Sequence, residues 1–543
     1  MIRDMFKYAM IVALSGVLLG LFGLPAVGQV HYRDGSPWNR KANNGPDAQV
    51  PGWFYNLGIT GMRAELFADD PKVLVIRHVL DKTPASGKIK VGDRVVGVNG
   101  KAFKNAHKNG YGMDVFGADG PILELATALE ASLSKEAGGK LALLVNRGGE
   151  VMEVELNLGT KLGSYAKNFP ADCEKSERVF KFLCDYLVEN QRDNGSFGNP
   201  MHNTFAPLAL LASGERKYLP NVKRCLEAMV RSVPESGEPR KSGLPNWNYM
   251  ASAIVLSEYY LITKDKWALP ELNKLKAVIE AGQYLDMSQI NPKSKETHPG
   301  SVPKGPMDSH GGWGHNPGFE GYGPISMITG QGALAYALMH RCGIKIDRER
   351  HDAAYNFLDR GTAANGYVWY GDGKGGGPNA WADMGRTGAS GIAFALSPYD
   401  DKKYAKRALL HAEVIGKHPE SFPDTHGSPA MGMGYAAMAA NLNPKAFRRM
   451  MDKNRWWFTM AQCGDDGTFY YQPNRDNAGY GGDSRMTASC VVAFIYAIPK
   501  QSLVVTGREH KSGQKSETQN HDAPRLSEEP PRVSEEPPAA PDQ

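Results

Sequence analysis

The chain is poor in reactive sulfur. Six cysteines stand in 543 residues: Cys173, Cys184, Cys225, Cys342, Cys463 and Cys490. No CxxC occurs, and the spacings do not match a zinc site, so neither a thiol redox centre nor a structural zinc is expected. Cys173 and Cys184 fall too far apart on one expected helix to bond each other. Excess charge of one sign is also missing: 63 Lys and Arg oppose 58 Asp and Glu. Without a basic cluster interleaved with aromatics, nucleic acid is not an expected partner. Gly371–Gly377 lacks phosphate-loop spacing, and no Ser/His/Asp or Cys/His nucleophile pattern stands out. A mean hydropathy of -0.42 argues against a polytopic membrane protein.

One long apolar run exists, from Tyr8 to Leu24, preceded by Arg3 and Lys7 and followed by Ala26-Val27-Gly28. These features predict a cleaved secretory signal over residues 1–28. The expected location is then periplasmic or secreted, with no stable membrane span after cleavage. An uncleaved N-terminal anchor is the alternative.

Residues 50–160 have strand chemistry. Lys72–Leu80 is β-branched and apolar, Val91–Gly100 follows, and a helix is expected over Leu123–Leu133. Leu141–Val145 and Val151–Leu156 form a hairpin across Arg147-Gly148-Gly149. Lys82-Thr83-Pro84-Ala85-Ser86-Gly87, then Val91-Gly92-Asp93, then Val98-Asn99-Gly100 resembles the ordered motif run of bacterial PDZ domains. The resemblance implies a small α+β domain. It also implies a carboxylate-binding loop at Leu57, Gly58, Ile59, Thr60 and Gly61, which would hold a polypeptide C-terminus added as a strand. The insertion Lys104–Gly120 departs from the pattern and either covers or extends that groove.

From residue 170 to 500 a motif recurs six times, with copies opening at His202, Asn248, Thr329, Arg386, His426 and Ser484. Each runs into a small-residue apolar helix. More charged helices lie between, for example Cys173–Asn190, whose Val179, Phe182, Leu183, Tyr186 and Leu187 follow a 3.6-residue period. The alternation predicts an all-α (α/α)6 ring, with apolar helices inside and amphipathic ones outside. The region resembles the α/α toroids of terpene cyclases, protein prenyltransferases and polysaccharide lyases. Gln191–Phe197 and Gln462–Phe469 are similar to the cyclases' Q…DG(S/T)(W/F) repeats, which the resemblance implies are structural ties. The cyclases' DxDD motif and a prenyltransferase zinc set are absent, and no cofactor is expected. The pairing of modules resembles an uncharacterised family of exported bacterial proteins.

Connections leading into the apolar helices are long and polar, so the helix starts gather at one functional mouth. Their N–H donors and dipoles favour an anionic or hydrogen-bonding ligand. Expected ligand-binding residues are His202, Asn203, Asn248, His310, Trp313, His315, Arg386 and Arg485, with Trp247, Glu320 and Tyr322 nearby. Expected catalytic residues are Tyr249, Asp383, His426, Tyr480 and Asp483. Asn, His, Tyr and Arg suit β-elimination from a uronate, whereas Asp383, Asp424, Asp483 and Glu320 suit two-carboxylate glycoside hydrolysis. A loop metal site from Asp308, His310, His315 and His426 lacks helical ligand spacing, and no metal is expected. Against all three stands a non-catalytic reading, in which these residues cap helices and tie loops. The sequence-level function is polymer binding at the cell envelope, the partner being a polypeptide end or an acidic polysaccharide. A polysaccharide lyase or glycoside hydrolase is the alternative. The Pro-, Glu- and Ser-rich stretch at 502–543 cannot build a core and is expected to be a disordered tail.

Overall fold

The structure is a computed structural model that describes residues 55–67, 70–109, 118–373, 381, 384–399, 402–423, 429–470 and 484–508. It also describes a two-stranded ribbon, β1 (Tyr32–Arg33) with β2 (Ser36–Pro37). The expected signal segment and most of the expected tail lie outside these residues.

The N-terminal module is an antiparallel sheet. Its strands are β3 (Tyr55–Asn56), β4 (Met62–Phe67), β5 (Asp70–Val79), β6 (Arg94–Val98) and β7 (Lys101–Ala102), then β10 (Lys140–Arg147) and β11 (Glu150–Asn157). They run in the order β11-β10-β6-β5-β4-β3, with β7 paired to β6. Helix α1 (Pro121–Ser132) buries Ile122, Leu125 and Leu129 on one face. A second ribbon, β8 (Lys108–Asn109) with β9 (Ala118–Asp119), interrupts the sheet. The β10–β11 turn is Gly148-Gly149, with φ of +64° and +96°. Glycine reaches these angles without steric cost, and the two-residue turn sets the register Arg147↔Glu150. Asp93 of the Val-Gly-Asp run has a local structural role. Its carboxylate takes two bonds from Arg147, at 2.8 and 2.6 Å, and one from the Lys90 N–H.

The rest is helical. The apolar helices are α3 (His202–Ala212), α5 (Pro245–Thr263), α8 (Ser326–Arg341), α10 (Gly385–Leu396), α12 (Pro429–Ala440) and α15 (Ser484–Ala497). Each packs on the next in that order, and α15 packs back on α3. The ring therefore closes. Amphipathic α2 (Glu174–Glu189), α4 (Leu219–Val230), α6 (Ala268–Gly282), α9 (Arg348–Arg360), α11 (Lys402–Lys417) and α13 (Pro444–Lys453) pack against the apolar six. Short α7 (Pro292–Thr297) lies in the longest connection.

Every residue of α3 is buried, which explains its lack of a polar face. The ring is narrow because small residues admit large ones across it. Phe205 lies where a Cβ on Gly434 would sit 2.3 Å from its ring, so only glycine fits there. The sequence expected one outer helix over Pro444–Gln462. It breaks at Asn454, whose side-chain amide donates to Pro419 O and Met450 O, and α14 (Arg455–Ala461) turns away. All six cysteines are buried and lie outside any disulfide. No helix among the described residues is long and apolar enough to cross a membrane.

Ordered structure runs past the composition boundary at residue 502. Leu503, Val504 and Val505 are buried, and the N–H groups of Val504 and Val505 donate to the Glu258 carboxylate at 3.2 and 2.8 Å. Glu258 is fully buried on α5, so these bonds replace water that it has lost.

Candidate functional site

A cavity of about 450 Å³ opens where the inner helices begin. It is lined by Met201 ahead of α3, by Leu244, Trp247 and Asn248 at α5, by Ile325 and Met327 at α8, by Arg386 on α10 and by Met431 on α12. Segments far apart in sequence thus share one mouth, as closure of the ring requires. Tyr322 and Tyr370 complete its rim. Together with Leu244 they are among the exposed large apolar side chains, at 38%, 39% and 51%.

The long connection after α6 delivers a histidine to this cavity. Trp313 anchors it: the indole is fully buried and donates to Ile279 O at 2.8 Å. Asn246 then ties Gly314 O to α5 at 2.9 Å. His315 follows, and its Nδ1 accepts the Trp247 indole N–H at 2.8 Å. An indole nitrogen only donates, so the neutral imidazole carries its proton on Nε2. Nε2 donates to the Tyr322 oxygen at 2.5 Å, and that oxygen also accepts the Tyr370 hydroxyl at 3.0 Å. Two incoming donors leave the Tyr322 proton unused by either contact. Burial holds the His315 imidazole below its ordinary pKa, opposed by the nearby Glu320 carboxylate, which matches the neutral form.

Arg386 is only 8% exposed. Its Nη2 donates to Tyr367 Oη at 2.7 Å, and its guanidinium faces the Tyr370 ring at 5.6 Å. Planar contact and five fixed donors suit recognition of a carboxylate.

The structure places Asn248, His315 and Arg386 on one cavity and separates other candidates from them. His202 is buried and bonds Thr487 at 2.8 Å, joining α3 to α15. Asn203 binds its own preceding loop through Phe197 N and Gly198 O. Tyr249 points to the Arg240 N–H, which its hydroxyl accepts at 3.1 Å. His310 offers its carbonyl to Arg360 and Asp308 caps Lys304 and Gly305, and among the described residues neither is grouped with His315 closely enough to share an ion. The buried Arg485 guanidinium pairs with the solvent-facing carboxylates of Asp465 and Asp466 at 3.0 and 2.6 Å. Those carboxylates and Cys463 are close enough to share an ion, but the guanidinium supplies the positive charge there. Asp383, Asp424, His426, Tyr480 and Asp483 lie outside the described residues.

The loop expected to hold a peptide terminus faces the ring. Leu57, Gly58, Thr60 and Gly61 are buried, and Ile59 is half-buried. Asn56 donates to Met460 O and Gln462 O at 2.7 and 3.0 Å. A Cβ on Gly58 would lie 2.8 Å from Thr459 O. The outer edge of β4 is paired to β3 as well. Helix α14 therefore covers this face, and Lys175 with Glu130, at 2.9 Å and both mostly buried, fastens α1 to α2 alongside it.

Sequence reasoning missed Leu244, Tyr370 and the three lining methionines. Met201 directly precedes the His202 motif, whereas Leu244 lies four residues ahead of the motif opening at Asn248, beside Pro245, a helix-start signal in the sequence.

The model of a family described as a domain of unknown function (DUF6288) matches residues 176–507. The chain belongs to the DUF6288 family. The match spans the whole ring and leaves the sheet module outside it. No protein of curated function matches. Among solved structures, this DUF6288 chain is similar to the GH76A α-1,6-mannanase of Salegentibacter sp. HEL1_6, at 15% identity and TM-score 0.43, over 59% of this chain and 98% of that one. A family 76 glycoside hydrolase from a bovine Bacteroides thetaiotaomicron strain gives 10% identity and TM-score 0.41, over 66% and 84%. A variant of the type II terpene cyclase MstE from Scytonema gives 12% and 0.37, over 60% and 97%. These scores are low, and the ring stands on the chain's own helix contacts.

Proposed function

We propose that this DUF6288 protein binds a segment of acidic polysaccharide at the mouth of its ring, outside the cytoplasm. One observation carries the reading: a single cavity gathers Trp247, Tyr322 and Tyr370 with Asn248 and Arg386. Aromatic side chains offer flat apolar faces with polar tips, which suit the faces and hydroxyl edges of a sugar ring. Arg386 supplies the donor geometry a uronate carboxylate needs. A cavity of this size is within the range of small-ligand sites. Export rests on the N-terminal composition alone. The sheet module acts as a brace for the ring, since the face that would receive a polypeptide end is covered by α14.

The test is calorimetric titration of the full chain with uronate and neutral oligosaccharides of equal length. Binding of the uronate that is lost in Arg386→Ala supports the reading. Absence of binding to every oligosaccharide removes it.

A second reading is favoured by the hydrogen bonds at Tyr322. In β-elimination a base takes the C5 proton, a C4–C5 double bond forms, and the C4–oxygen bond breaks as the leaving oxygen gains a proton. The Tyr322 oxygen, held by His315 Nε2–H and Tyr370 O–H, could as phenolate take that proton and return it to the leaving oxygen. Arg386 and Asn248 would face the carboxylate. No Asp or Glu is found among the described lining residues, so two-carboxylate hydrolysis would need two of Asp383, Asp424 and Asp483. An unsaturated product released from a uronate polymer, and lost in Tyr322→Phe, would establish the lyase.

A further inference from the structure

We propose that the sugar bound at the mouth is acylated, and that Leu244 is the residue that selects the acyl group. The inference rests on the polysaccharide reading and narrows its ligand.

Leu244 has φ +58° and ψ 43°, in the left-handed region. A bulky side chain at positive φ is uncommon and is sustained only where surrounding structure imposes it. The imposition is visible. The Leu244 N–H donates to Asn316 Oδ1 at 3.0 Å, and Pro245 opens α5 immediately after it. Glycine would take this conformation freely, yet a leucine stands here. Its side chain does not repay the strain by packing, because it is 51% exposed on the cavity wall. An exposed, strained apolar residue lining a cavity points to a contact made with a ligand.

The remaining wall agrees. Met201, Ile325, Met327 and Met431 line the same space. Gln331 on α8 reaches the Met431 sulfur on α12 at 3.6 Å. Helices α8 and α12 are separated by α10 in the ring, so this contact lies on the inner side of α10. Thioether and hydrocarbon surfaces cannot replace the water that a sugar hydroxyl would lose there. A methyl group loses nothing polar and gains from leaving water. Methionine also adapts its shape to a small apolar insert. The opposite preference comes from Asn248, Arg386 and the Tyr322 hydroxyl, which suit a polar, anionic group. A uronate oligosaccharide carrying acetyl esters meets both demands.

The test compares an O-acetylated oligogalacturonate with the same oligomer after mild saponification, which removes the acetyl groups and leaves the carboxylate charge unchanged. Both are titrated into the full chain, with decanoate as an apolar control. The expected result is that the saponified oligomer binds about tenfold more weakly or worse. Leu244→Gly should erase most of that difference while its melting temperature holds or rises, because the backbone strain is relieved. Equal affinity for the two oligomers overturns the acyl proposal and leaves the polysaccharide reading standing. If decanoate alone binds, or if nothing binds, both fall.

Discussion

The indole N–H of Trp247 meets Nδ1 of His315 at 2.8 Å, linking an inner helix to the longest connection in the ring. This bond fixes the imidazole tautomer and so sets which way the proton on Nε2 points, toward Tyr322. Trp247→Phe keeps the ring shape but strands Nδ1. The expected cost is about 1–2 kcal/mol of stability, with a larger loss of oligosaccharide affinity. Denaturant unfolding and calorimetry on the same variant separate the two. Unchanged affinity would mean the network does not shape the mouth.

Two arginines make a paired comparison. Arg386 lines the cavity, whereas Arg485 is 4% exposed and held by Asp465 and Asp466. Arg485→Ala leaves its partly exposed carboxylates unpaired, with an expected stability loss of about 2–3 kcal/mol, below the fully buried range. Arg386→Ala should instead abolish uronate binding. Thermal melts with binding assays on both variants check the assignment.

Acid should unfold the protein through its buried histidines. Burial pushes His107, His202 and His411 each down to about 4. In the unfolded chain they return to about 6.5. Below that value the unfolded state binds more protons, so stability present at neutral pH is lost as pH falls toward 4. Unfolding free energy measured from pH 7 to 4 should show the decline. His411→Asn retains a donor for Gly366 O, which His411 Nδ1 now contacts at 2.6 Å, and should make the slope shallower.

The end of the ring is testable by truncation. Deleting 509–543 should leave stability unchanged. Deleting from residue 502 removes buried Leu503, Val504 and Val505 and uncovers the Glu258 carboxylate. A loss of about 4 kcal/mol or more is expected, since each fully buried apolar side chain contributes about 1.5–3 kcal/mol. Equal midpoints in urea for the two truncations would refute the anchoring role.

Separating the sheet module from the ring is a matter of one loop. Asn56→Ala removes two bonds to α14 and its following residue, at an expected cost of about 1–3 kcal/mol. Gly58→Val should be worse, because Gly58 combines φ +65° with a carbonyl 2.8 Å from any added Cβ. Limited proteolysis near residue 165 reports whether the module has come away.

Much of the scaffold was legible. The Gly148-Gly149 turn, the strands around it and the alternating helix types follow from local patterns. Helix starts were displaced by a few residues, as at Pro245 for the motif opening at Asn248, because proline at the first turn outweighs the polar motif. The break at Asn454 was not visible, since it depends on Pro419, 35 residues away.

The amino-acid order alone established the repeat, the two helix classes and one end rich in polar groups. Backbone geometry and apolar period are local properties, so a chain displays them without its fold. The tertiary structure decided which polar groups meet. Arg386 and Arg485 each stand second in an inner helix, yet one faces the cavity and the other an ion pair. Their local sequences do not distinguish them. The closed ring brings Tyr367 and Tyr370 beside the first guanidinium and Asp465 and Asp466 beside the second.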